Sequence, residues 1–220
     1  MLLDEAARTR VATAVANAEA ETSGEIVCIV ERALEPHWAT AWLLGAVGAL
    51  TLPTAFLAAQ SLWAADWEAS HLAPSTPFIL VELVGLQGLA FGALYALAAI
   101  PAVRRMIEPA AVRRRRVHDA AMRHFVSRGV HQTRDRTGIL LFVVEQEKWA
   151  EIVADEGIHA KVGSDVWVDA IQALVAGVKR DDVVGGFEAA IGRCAEVLTE
   201  HFPRRPDDVD ELSNRLVVLD

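Results

Sequence analysis

The chain has 220 residues, 53% of them hydrophobic and 23% charged, with a formal net charge of -9. This is too apolar for an ordinary soluble domain and too charged for a polytopic transporter, so it predicts a membrane segment joined to a folded soluble part. The acidic balance, with arginines clustered rather than spread, argues against nucleic acid as a partner. Two cysteines, Cys28 and Cys194, form neither a disulfide framework nor a metal-ligand spacing.

Residues 2–20 place Leu3, Ala6, Ala7, Val11, Ala14, Val15 and Ala18 at steps of three and four, which predicts an amphipathic helix. Charges among its first residues leave no uninterrupted apolar run for a cleavable signal. Gly24 is expected to end this helix in the left-handed conformation. The run EIVCIVE, Glu25 to Glu31, then reads as the first strand of a soluble sheet.

From 39 to 63 the chain carries no charge, and from 77 to 103 it is interrupted only by Glu82 and Gln87 before Val103. At about 1.5 Å per residue, each stretch is long enough to cross about 30 Å of hydrocarbon. Their connection contains Asp66 and Glu68 but no Lys or Arg, whereas Arg104, Arg105, Arg113, Arg114, Arg115 and Arg116 follow the second stretch. Positive charge stays inside, so both termini and the soluble part are expected on the cytoplasmic side of a bacterial inner membrane. These arginines are also placed at anionic headgroups.

Trp38 and Trp42 near one face, and Trp63 and Trp67 near the other, fit interfacial belts. Small residues recur every fourth position, as Ala41, Gly45 and Ala49 and again as Gly88, Gly92 and Ala96, so the two helices can pack on each other or pair a second copy. Pro53 is expected to kink the first helix. Glu82 lies near enough to its helix end to reach water.

Beyond Pro109 a helix is predicted over 110–128, with Val117, Ala121 and Phe125 on one face and Gly129 after it. The stretch 136–158, RTGILLFVVEQEKWAEIVADEGI, reads as two strands joined by a turn at Gln146-Glu147. Ser164-Asp165 and Asp181-Asp182 each open a helix, with stripes of Trp167, Ile171, Leu174, Val175 and Val178 and of Val184, Phe187, Ile191, Cys194 and Leu198. Pro203 ends the second, and 203–220 is an acidic, Pro-punctuated tail whose last apolar residues are placed to dock on the domain. The expected organisation is a soluble domain in two parts, 1–35 and 107–202, split by an apolar hairpin over 36–106.

SGEIVCIVE, followed after the insertion by TGILLFV, a charged turn and EIVADEGI, resembles the TPM domain family, over residues 3–32 and 117–202. The resemblance implies an α/β sandwich with helices on both faces of a small central sheet. It also implies roles in assembly, maintenance or quality control of membrane complexes, with divalent-cation binding and acid-phosphatase activity as further implied properties. Where the family carries an Asp-x-Gly loop this chain has Asp135-Arg136-Thr137-Gly138; where the family carries Gly-Tyr-Gly it has Asp155-Glu156-Gly157. Asp165 stands nearest the downstream acidic position.

Asp135, Asp155, Glu156 and Asp165 at loop ends could together hold Ca²⁺ or Mg²⁺. Alternatively Asp165 caps a helix, and Arg134 and Arg136 fill the site with internal ion pairs. The chain has no G-x-S-x-G, P-loop, H-E-x-x-H or dinucleotide fingerprint. His118, His124, His131 and His159 lack ligand spacing. The residues therefore favour a membrane-anchored interaction module with a membrane protein or a second copy as partner. The other reading is a cation-dependent phosphohydrolase using Asp135, Asp155 and Asp165.

Overall fold

The fold is described from a computed structural model covering residues 4–35, 38–64 and 76–219. In chain order the elements are α1 (Glu5–Glu19), β1 (Glu25–Glu31), α2 (Ala39–Ala64), α3 (Thr76–Ala99), α4 (Pro101–Ile107) and α5 (Ala110–Ser127). There follow β2 (Gly138–Val144), β3 (Trp149–Ala154), α6 (Glu156–His159), α7 (Val168–Lys179), α8 (Val183–His201) and β4 (Val217–Leu219). The chain divides into two compact units, Met1–Leu34 with Arg113–Asp220, and Glu35–Val112.

The first unit is α/β. Its sheet runs β3-β2-β1-β4, with β1 parallel to both β2 and β4, and β2 antiparallel to β3. All seven positions of β2 are buried, which explains why GILLFVV is continuously apolar: a central strand covered on both faces has no solvent side to mark with polar residues. Ile26, Cys28 and Val30 of β1 and Ile139, Leu141 and Val143 of β2 pack with α1, α7 and α8. Val27, Ile29, Leu140, Phe142 and Val144 pack on the other face with Val117, Ala120, Ala121 and Phe125 of α5.

The helix ends follow local chemistry. Asp4 caps α1 by accepting from the Ala7 N–H at 2.8 Å, and Asp182 caps α8 through the Gly185 N–H at 3.0 Å. Gly129 takes φ +70 after α5, as its place after the helix leads one to expect. Gly24 does not: Gly129 is the glycine with positive φ among the described residues. Gly24 is small for a packing reason instead, because a Cβ there would come 2.8 Å from the Leu198 side chain. The helix expected to open at Ser164-Asp165 begins as a 3₁₀ turn over Ser164–Trp167 and becomes α-helical at Val168.

The C-terminal residues differ most from the sequence reading. The tail does more than dock its last apolar residues on the domain: the chain returns to the sheet, and Val217–Leu219 lie beside Ile29–Glu31 as an edge strand. The Arg32 N–H extends this pairing to the Leu219 carbonyl at 2.9 Å.

The second unit pairs α2 with α3, and both helices are long and apolar enough to cross a membrane. Trp42 lies 5.5 Å from Phe91 and 5.2 Å from Tyr95 between ring centroids. A Cβ at Gly45 would come 2.9 Å from the Phe91 ring, so this glycine admits the aromatic side chain. Gly88 and Gly92 take no part in that pairing; nothing lies within 4 Å of where their Cβ atoms would be. α2 continues through Pro53, and Thr54 Oγ1 donates to the Leu50 carbonyl at 2.6 Å. The second apolar helix ends at Ala99 rather than Val103, because Pro101 displaces Ile100 from helical geometry and starts α4. Glu82 is exposed in the second turn of α3. Trp67, Asp66 and Glu68 lie outside the described residues, as does the side chain of Trp63.

The contact between α7 and α8 is closest at Gly177, where a Cβ would meet the Gly186 Cα at 2.5 Å. Gly177→Val should therefore lower stability by about 1–3 kcal/mol through overpacking. Gly192→Ala, on the exposed side of α8 with nothing near its Cβ position, should raise it by about 0.4–1 kcal/mol. Denaturant unfolding of the full chain in detergent, followed by near-UV circular dichroism, reads both signs.

Candidate functional site

Two loops meet at the end of the sheet where β2 begins and β3 ends. Gly138 lies so close to the Val130 carbonyl that a Cβ would sit 2.1 Å from it, and a Cβ at Gly157 would sit 2.4 Å from the Asp135 carbonyl. The two glycines kept from the family-like motifs thus allow the 133–138 loop and the start of α6 to touch through backbone. Arg136 takes φ 59 in this loop.

Asp155 is only 4% exposed, and its Oδ1 accepts from the Glu156 N–H at 2.7 Å, capping α6. Its Oδ2 lies 3.4 Å from Arg136 Nε, while Arg136 Nη2 lies 3.6 Å from Glu156 Oε2 and Nη1 donates to the His131 carbonyl at 2.8 Å. Asp135 pairs with Arg205, which arrives from beyond α8. Arg134 turns away: its Nη1 donates to Asp207 Oδ2 at 3.0 Å and its backbone N–H to Glu211 Oε2 at 2.8 Å. Asp165 stands apart, exposed in the 3₁₀ turn beside Gly163.

The four acids expected to converge do not form a shared oxygen set among the described residues. Three of them face guanidinium groups, and the fourth is elsewhere. The donor set a hard cation requires, several unshared carboxylate oxygens around one point, is therefore not assembled from Asp135, Asp155, Glu156 and Asp165.

A different group of acids is brought together. Carboxylate oxygens of Glu19, Glu25 and Asp210 all lie within 4.8 Å of one another. Glu19, ending α1, accepts from the Ile26 N–H at 2.9 Å. Glu25, 5% exposed, accepts from the backbone N–H groups of Glu211 and Leu212, each at 3.3 Å. Burial raises the Glu19 carboxyl to about 8, with Glu25 and Asp210 adding to the rise and the Ile26 and Asn214 hydrogen bonds opposing it. Burial likewise raises Glu25 to about 7, opposed by its two backbone donors and reinforced by Asp210 and Glu211. Near neutral pH this group holds protons. Only the closeness of Glu19 and Glu25 in sequence hinted at it; Asp210 lies in a segment whose fold the sequence reading left unassigned.

Other residues singled out from the sequence have structural partners. His118 Nδ1 lies 2.6 Å from Glu151 Oε1, and His124 Nε2 lies 3.3 Å from Glu31 Oε2 with its ring against Phe142. Cys28 and Cys194 are free and buried, and burial pushes the Cys194 thiol up to about 12 and Cys28 well above its ordinary value. Arg114 and Arg115 are exposed on the first turns of α5, whereas Arg113 is half-buried. The side chains of Arg104 and Arg105 lie outside the described set.

No protein-family model matches this chain, and no curated protein matches it. Its fold is similar to the NMR structure of the BA42 protein from the psychrophilic bacterium Bizionia argentinensis, with a TM-score of 0.59 and 19% identity over 99% of this chain and 96% of that one. At that identity the likeness is one of fold.

Arg136→Gln should cost about 1–3 kcal/mol because it strips the charge partner from the buried Asp155 carboxylate. Arg134→Gln, whose ion pair with Asp207 is exposed on both sides, should cost less than about 1 kcal/mol. Urea unfolding of the full chain compares the two.

The raised carboxyls make stability pH-dependent. Above the ordinary carboxyl value of 4.5 and up to about 8, the folded chain holds protons that the unfolded chain has lost. This contribution is fully present below about pH 4.5 and is lost as pH rises through about 7 and 8. The melting midpoint of the wild type should fall between pH 5 and 8.5 relative to the double variant Glu19→Gln, Glu25→Gln. Parallel curves for the two proteins would refute the assignment.

Proposed function

We propose that this chain is a membrane-anchored interaction module of the TPM domain type, whose α/β unit helps assemble or maintain a membrane protein complex from the cytoplasmic side. The observation that carries this reading is the pairing of Asp135, Asp155 and Glu156 with Arg205 and Arg136. The loops that resemble the family's acidic loops are joined internally by charge, leaving the module's surfaces, rather than an open acidic centre, to act.

Two further points support it. The apolar α2–α3 pair supplies an anchor by length and composition, and its exposed leucines, such as Leu43 and Leu89, suit lipid better than water. The fold likeness extends over nearly the whole chain, which agrees with the resemblance carried by TGILLFV and EIVADEGI. The phosphohydrolase alternative draws no support from the geometry, since Asp135 and Asp155 are held by arginines and Asp165 joins no carboxylate group with them among the described residues.

Tagged full-length protein isolated from its native membranes in mild detergent should retain reproducible membrane-protein partners in near-stoichiometric amounts, and a reporter fused after Asp220 should register a cytoplasmic location. Recovery of the protein alone would overturn the interaction reading. An external reporter signal would overturn the orientation without touching the rest.

A further inference from the structure

The two edges of the sheet are treated differently. Along β1, the outward Ile26 N–H is taken by the Glu19 carboxylate, and the adjoining stretch pairs with β4. Along β3 the register, with the Asp155 N–H donating to the Gly138 carbonyl at 2.9 Å, turns the N–H and C=O groups of Ala150, Ile152 and Ala154 away from β2. Among the described residues those N–H groups have no hydrogen-bond partner. Buried or recessed backbone groups without partners are rare in folded proteins, yet Ala150 is only 4% exposed.

The first half of this edge, Trp149 to Glu151 with the turn before it, forms the floor of a groove of about 510 Å³. One wall is the start of α5, with Arg113 and Arg114; the other is α7, with Ile171, Val175 and Lys179. Arg113 Nε and Glu147 Oε2 are both shielded from water in this groove without a hydrogen-bond partner. Lys148 is already used, bonding to the Val178 carbonyl at 2.8 Å and to Asp181 at 2.6 Å. Glu151 is engaged by His118 at 2.6 Å, so Arg113, Arg114 and Lys179 outweigh Glu147 in the lining, and the surface between the charges is formed by Trp149, Ile171 and Val175.

We propose that β3 is the docking edge of the module and that it receives an extended, acidic, aliphatic-containing segment of a partner protein as a fifth strand. The backbone of that segment pairs with Ala150, Ile152 and Ala154, about 13 Å of strand. With alternate side chains on opposite sheet faces, its acidic ones face Arg113 and Arg114 on the α5 side, and its aliphatic ones cover Ile171 and Val175 on the α7 side. Main-chain bonds supply the attachment and alternate side chains the selectivity. This inference rests on the interaction reading above and names its surface.

The test uses the full chain in uncharged phosphatidylcholine nanodiscs and a fluorescein-labelled peptide of seven alternating Glu and Val residues. Anisotropy should rise saturably. Ile152→Pro removes an outward N–H without breaking a bond to β2, and it should weaken binding at least tenfold, as should Arg114→Glu on the face the acidic side chains meet. A peptide N-methylated at alternate backbone positions should fail to bind the unaltered protein, which keeps the test valid even if Ile152→Pro does not fold. Amide exchange at Ile152 should slow when the unmethylated peptide is added.

Absence of saturable binding up to millimolar peptide, or equal binding of the methylated peptide, overturns the proposal. So does loss of peptide binding in phosphatidylglycerol nanodiscs with slowed Ile152 exchange there, which would assign the groove to anionic lipid. Concentration-dependent dimers that Ile152→Pro abolishes would give the edge to a second copy instead. If native partners persist on the Ile152→Pro protein, the interaction reading stands and this surface is wrong; if no partners are found on the wild type, the interaction reading itself fails.

Discussion

The parallel pairing of β1 with β2 is the constraint on which the α/β unit depends. These two strands supply the residues that both helical layers cover, with Ile26, Ile29, Ile139, Leu140, Leu141 and Phe142 all essentially without solvent contact. Yet the whole Glu35–Val112 unit lies between them in sequence. Neither strand can be buried until the chain has passed through that unit and returned. A long insertion is thermodynamically tolerable because loop-closure cost grows only slowly with length, about 0.6 kcal/mol per doubling. An insertion that is itself a paired helical hairpin also begins and ends on the same side of its own long axis. Non-local parallel pairing of this kind is intrinsically slow, because the closure entropy is lost before the contacts that reward it are made.

Charge is distributed by the same economy. Arg136 and Arg205 neutralise acids at the loop end of the sheet, so Asp155 can be buried and still serve as a helix cap. Among the described residues no corresponding arginine acts on Glu19 and Glu25; there a half-buried and a buried carboxyl are accommodated by raised affinity for protons and by backbone donors. Because β1 runs parallel to β2 with Glu25 beside Gly138, both groups lie at the same end of the sheet. Fixed ion pairs stand on the β2–β3 side and groups whose charge depends on pH on the β1 side, and both depend on the segment after α8.

That segment marks the limit of what the sequence disclosed. The amphipathic helices were legible because their apolar residues fall at steps of three and four and their caps are acidic or hydroxylic. The hairpin was legible because a seven-residue buried run meets a charged turn and a second β-rich run. The arginine alternative at Asp155 was also legible, since Arg136 is near in sequence and sits between the two motif loops. Arg205 was not, because its partner Asp135 lies 70 positions away and nothing local distinguishes it from an ordinary surface arginine. β4 was not, because three apolar residues after an acidic stretch carry too short a pattern to separate a strand from a frayed end. Gly24 differs from its expected left-handed backbone for a related reason: local rules assign a glycine after a helix to positive φ, whereas here it makes room for Leu198, a residue of α8 far along the chain.

The same long-range closure explains why the two sheet edges are unequal. β4 can cover only the Ile29–Glu31 half of β1; a strand of three residues reaches no further. The remaining half is completed by side chains, with Glu19 accepting from the Ile26 N–H in place of a neighbouring carbonyl, and Glu25 fixing the Glu211 and Leu212 backbone beside it. The segment after α8 is thereby committed to that edge. β3, whose chain neighbours on both sides are a tight turn and the short α6, has no comparable segment within reach. The Trp149–Glu151 part of this edge lies in the groove between α5 and α7, which limits indiscriminate pairing while leaving a longer unpaired edge than the three residues of β4.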